Sequence, residues 1–125
     1  MINNILSKIN EGAYNIPDKT FPKRLPISHI FDEDLSVKKN KELVAKHNEE
    51  IDKMKEEYSL EVNAIRTRLY EDIISAIMEE TDLNRKQAEI LYNFSYSRHH
   101  SSGEYEVVSC LMEYFEFAKN LFNAK

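Results

Sequence analysis

The segment Arg98-His99-His100-Ser101-Ser102-Gly103-Glu104 concentrates the side chains best suited to hold a ligand. It joins two helical stretches, and a helix that begins there presents free backbone N–H groups carrying partial positive charge. Arg98, His99 and His100 beside such an end, with Ser101, Ser102 and Gly103 as donors, make an anion or phosphate site. A plainer reading covers part of the same run. Ser101-x-x-Glu104 has the form of a capping box, in which serine and glutamate close the helix end by local hydrogen bonds. A metal site from the two histidines with Glu104 or Glu106 lacks a third ligand at a suitable spacing, because adjacent helical residues face different ways. No metal and no other cofactor is expected.

Catalysis finds little to work with. The single cysteine, Cys110, lies among Val107, Val108, Leu111 and Met112, where a thiol acts as a small core hydrophobe with a raised pKa. There is no glycine-rich phosphate loop, and the many acids follow solvent-face spacing rather than forming a catalytic pair. The chain is therefore not expected to be an enzyme. Arg66, Arg68, Arg85 and Lys86 are interspersed with Glu71, Glu79, Glu80 and Glu89, which describes a salt-bridged face rather than a phosphate-backbone contact.

Aromatic residues are the second candidate feature. Tyr92, Phe94, Tyr96, Tyr105, Tyr114 and Phe117, with Phe115 and Phe122, crowd about thirty residues, more rings than a two-helix hairpin buries against itself. Either the rest of the chain covers them as core, or they form a partner interface, where Tyr and Phe are enriched. Phe21, set among Lys19, Lys23 and Arg24, belongs to the same interface candidates.

Four elements must position these groups. Ile2, Ile5, Leu6 and Ile9 recur at helical spacing before Gly12, giving a short helix over 1–12 with a C-terminal glycine cap. Pro17, Pro22 and Pro26 make residues 13–33 an extended arm that must lie on a surface. After a cap at Ser36, no glycine or proline occurs until Gly103, and a long helix is predicted over 34–81. Val37, Val44, Ile51, Tyr58 and Ile65 fall seven apart, but Asn40, His47 and Met54 leave the intermediate positions thin. Residues 38–61 hold six lysines and seven acids, so this polar half is expected to project or to pair with a second copy. Thr81-Asp82-Leu83-Asn84 should break the helix, and a hairpin follows over 84–124. The fold class is all-α, as a single helical domain over 1–125.

Composition narrows the function classes. The 125 residues are 42% hydrophobic and 31% charged, enough to bury a core. A net charge of −5 argues against a dedicated duplex-DNA binder. Two glycines and three prolines argue against a turn-rich β fold. No signal peptide and no membrane-spanning apolar run is apparent, so a cytoplasmic location without membrane contact is expected.

The run His99-His100-Ser101-Ser102-Gly103-Glu104-Tyr105-Glu106-Val107, within a Tyr- and Phe-rich hairpin over 88–118, resembles hairpins in small accessory proteins of large tailed phages. That resemblance implies an accessory protein acting in the cytoplasm of an infected host, with no chemistry attached. Together these readings give a small non-enzymatic interaction protein, self-associating through the long helix, that binds and modulates a larger protein. The alternative is a binder of a nucleotide or other small anion at residues 98–103.

Overall fold

The computed structural model describes residues 1–123. Its architecture is all-α: α1 (Ile2–Asn10), α2 (Val37–Glu80), α3 (Arg85–His99) and α4 (Glu104–Asn123), with a 3-10 turn at His100–Ser102. No strand occurs among the described residues. The predicted elements are all present, with ends moved by one to three residues, and Ala124 of the predicted hairpin lies outside the described residues. No helix among the described residues is long and apolar enough to cross a membrane. The chain divides into two compact units, Met1–Asn15 with Ile65–Lys125, and Ile16–Ala64.

In the first unit, periodic apolar residues become a core. Ile2 and Ile5 of α1, Leu69, Ile73, Ile74 and Ile77 of α2, Leu91 of α3, and Val108, Leu111 and Ala118 of α4 are buried in one cluster. Helix ends are closed by identifiable bonds. The Ala13 N–H donates to the Lys8 carbonyl and the Gly12 N–H to the Ile9 carbonyl, a Schellman ending that needs Gly12 at φ +85°. Beyond it the Tyr14 hydroxyl donates to Asp72 at 2.6 Å, and burial followed by that carboxylate pushes the Tyr14 pKa up to about 12. α2 ends where the Thr81 hydroxyl donates to the Ile77 carbonyl at 2.6 Å and accepts the Leu83 N–H. Asn84 and Gln87 then form a capping box, at 2.9 and 3.0 Å. Leu83 just before that cap and Ala88 just beyond it are both buried, as in a hydrophobic staple. Ser95, fully buried in α3, donates to the Val107 carbonyl at 2.7 Å and ties the hairpin together.

The second unit corrects the expectation for the polar half of α2. Its apolar seam is covered by the chain's own arm, which runs antiparallel along the helix. The Tyr58 hydroxyl donates to the Pro17 carbonyl at 2.7 Å, Phe21 packs edge-on against the Tyr58 ring, and Lys19 pairs with Glu61 at 3.0 Å. Arg24 pairs with Asp52, holding that carboxyl below its usual range. The Asn48 amide accepts the Leu25 N–H at 2.7 Å and donates to the Leu25 carbonyl at 2.9 Å, as a neighbouring strand would. The Asn40 oxygen accepts the N–H groups of Phe31 and Asp32, and its nitrogen donates to the Asp32 carbonyl at 3.0 Å. Within this arm unit Val44 and Ile51 are buried beneath the arm, whereas Val37 lies outside the covered stretch. At the start of α2 the Ser36 hydroxyl accepts the Lys39 N–H, the expected cap.

Candidate functional site

The geometry of residues 98–103 follows from where α4 starts. The residue before Glu104 is Gly103, at φ +100°, and the first α4 bond runs from the Val107 N–H to the Gly103 carbonyl. Ser101 therefore sits in the 3-10 turn, and no side-chain hydrogen bond of Ser101 closes the helix among the described residues. The expected Ser101–Glu104 capping box is corrected on that ground. The box of this hairpin is at Asn84–Gln87, where an extended backbone at Asn84 aims its side chain at the free N–H groups.

The basic side chains of this segment turn to aromatic rings. The Arg98 guanidinium lies 5.0 Å from the Phe94 ring centroid. His99 stacks on Tyr114, with 2.9 Å between its Nε2 and the Tyr114 hydroxyl. His100 stacks on Tyr96, with centroids 5.3 Å apart, and its Nδ1 lies 3.0 Å from the Tyr96 carbonyl. A carbonyl only accepts, so the His100 Nδ1 carries the proton. The two neighbouring histidines thus serve separate rings. Ser102 and Gly103 are exposed at the start of α4.

These contacts sort the aromatic residues of α3 and α4 into two groups. On one side Tyr70 of α2, Tyr92, Tyr96 and His100 form a ladder, with successive centroids 5.3, 6.1 and 5.3 Å apart. The ladder borders an open hollow of about 440 Å³ that Arg66, Asn93 and Glu104 also line. Burial, and then the Glu104 carboxylate, push the Tyr92 pKa up to about 12. Burial likewise raises the Glu104 carboxyl, against the pull of Arg66. Tyr92, held neutral in this way, offers a ring face and an O–H donor and is a poor base at neutral pH.

On the other side Phe94 meets Tyr114 edge-on at 5.1 Å. Ile90 lies one turn before Phe94 on α3, and Phe117 and Leu121 lie further along α4, each of the last two 58% exposed. Tyr105, in the first turn of α4, is also exposed. Of the aromatic residues singled out from sequence, Tyr92 and Tyr96 share the hollow and Phe94 and Tyr114 share the opposite group. Phe21 belongs to the arm's contact with Tyr58.

Cys110 is half-buried rather than deep in the core, and burial together with Glu113 and Glu106 raises its thiol pKa. Of the hollow's α2 wall, sequence reasoning missed Tyr70 and assigned Arg66 to a salt-bridged face, whereas Arg66 lines the hollow and makes no ion pair among the described residues. The available signal was their helical phase: both lie within a turn of Leu69, which faces the core. Compared with family models, curated proteins and solved structures, the chain matches none.

Proposed function

We propose that this chain is a non-enzymatic interaction protein that self-associates and docks on a larger protein through the outer face of the α3–α4 hairpin. One observation carries the docking part: Ile90, Phe94, Phe117 and Leu121 remain exposed on a hairpin whose core positions are already filled. Aromatic and aliphatic side chains in that state gain most from a partner that removes them from water. The resemblance of residues 88–118 to hairpins in phage accessory proteins supports a partner in a host cytoplasm. A photo-crosslinking residue at position 117 tests the reading in host lysate, with one at the exposed Lys55 as control. Position 117 should yield a discrete protein adduct that Leu121→Ser weakens. Equal adducts from both positions would reject it.

The hollow beside Tyr92 supports a second reading, a small anionic ligand such as a nucleotide. Arg66 lines it and makes no ion pair among the described residues, while Tyr92 and Tyr96 offer stacking faces. This moves the anion reading from residues 98–103 to the neighbouring wall. A thermal-shift series with nucleotides should raise the melting temperature of the wild type and not of Arg66→Ala. No rise at millimolar nucleotide would remove this reading.

A further inference from the structure

Three of the most exposed aliphatic side chains of the molecule lie close together in the arm unit: Ile27 at 75%, Val37 at 72% and Ile30 at 62%. The turn closed by the His29 N–H on the Pro26 carbonyl carries Ile27 outward. On one side of Ile27 is an apolar hollow of about 430 Å³ that Ile30 and Val37 also line. On its other side a second hollow of about 430 Å³ reaches Val44 of α2. Glu33 and Lys41 both line the first hollow, and neither makes an ion pair among the described residues.

We propose that this patch is the contact between two copies of the chain, paired about a two-fold axis with Ile27 of each copy entering the apolar hollow of the other. It rests on the self-association in the function proposed above, and names its surface. A two-fold contact sets a surface against itself, so it requires knob and hole in one patch. Ile27 beside its own hollow supplies both. The same operation sets Glu33 of one copy against Lys41 of the other, twice, so two charges of opposite sign left unpaired in one copy are paired in the dimer. In the seven-residue seam of α2, the contact expected from sequence, Val44 and Ile51 are buried within each copy, whereas Val37 at its start stays exposed and belongs to this patch.

Sedimentation equilibrium of the full chain, from about 10 µM to about 500 µM, tests the pairing. The wild type should show a reversible monomer–dimer equilibrium. Ile27→Asp and Val37→Asp, both at exposed positions, should keep the helical circular dichroism and weaken the dimer by about tenfold or more. Lys41→Glu should weaken it as well, and Glu33→Lys combined with Lys41→Glu should restore it, because a two-fold contact tolerates the exchange of both charges. A wild type that stays monomeric across the range overturns this inference and the self-association it rests on. A dimer indifferent to Ile27→Asp and Val37→Asp, or a double variant as weak as Lys41→Glu alone, overturns the surface while leaving self-association standing.

Discussion

In the unit built from α1, the later part of α2, α3 and α4, isoleucines and leucines meet one another, and polar groups close helix ends or make single ties such as Ser95 to Val107 and Tyr14 to Asp72. In the arm unit, an extended segment with three prolines lies along a helix, and two asparagines do much of the holding. Prolines prevent the arm from forming its own helix, so its backbone N–H and C=O groups need partners from elsewhere. Asn40 and Asn48 provide them, each amide serving as donor and acceptor at once. The same helix thus obtains its cover by hydrophobic burial at one end and by amide–backbone bonds at the other.

Substitutions in each region sharpen this contrast. The largest effect is expected in the apolar unit: Ile74→Ala, at a fully buried position, should cost about 2–5 kcal/mol in denaturant titration. Asn40→Ala should cost about 2–3 kcal/mol, because the Phe31 and Asp32 N–H groups and the Asp32 carbonyl lose their partner together. Its loss should be confined to the arm unit, which differential hydrogen exchange would show.

Alkaline titration probes the polar contact of the apolar unit. Tyr14 keeps its proton in the folded chain up to about pH 12, whereas an unfolded tyrosine loses it near pH 10. Between those values the folded state binds more protons, so stability falls as pH rises, by about 2 kcal/mol over the window. Below pH 10 this contribution is fully present. Tyr14→Phe should flatten that part of the pH–stability curve, as read from melting temperatures. Tyr92 has a pKa raised to the same value and should preserve part of the slope.

Helix ends give the smallest effects. Asn84→Ala should cost about 1 kcal/mol through loss of the capping box. Ser101→Ala should stay within about 0.5 kcal/mol, since that hydroxyl caps nothing. Thermal melts of the two variants side by side would separate the end that is closed by a side chain from the end that begins at glycine.

The contrast also explains what the sequence revealed. Element order, the arm, the Gly12 ending and the break after Glu80 were legible because glycine, proline and apolar periodicity act locally. The cover of α2 was not, because a seven-residue template reads Asn40 as a defect in an apolar seam. Asn40, Val44, Asn48 and Ile51 follow the helix's own period, and Asn40, Ile51, Val62 and Ile73 lie eleven apart, a straighter stripe than a heptad gives. Two asparagines flanking Val44 on that stripe, after a proline-bearing arm, were the signal for a chain bound along the helix. At residues 98–103 the residue types were noticed but their directions were not legible. Whether Arg98 and the histidines converge depends on where α4 begins, and one glycine at positive φ decides that.

The central claim is that the arm covers α2 within the same chain, with Asn40 and Asn48 as its posts. Residue-resolved amide hydrogen exchange on the full chain tests it most directly. The account predicts protected Leu25 and Phe31 amides in the wild type, loss of protection at Leu25 in Asn48→Ala and at Phe31 in Asn40→Ala, and unchanged protection in α3 and α4. Leu25 and Phe31 amides exchanging at unfolded-chain rates in the wild type would contradict it.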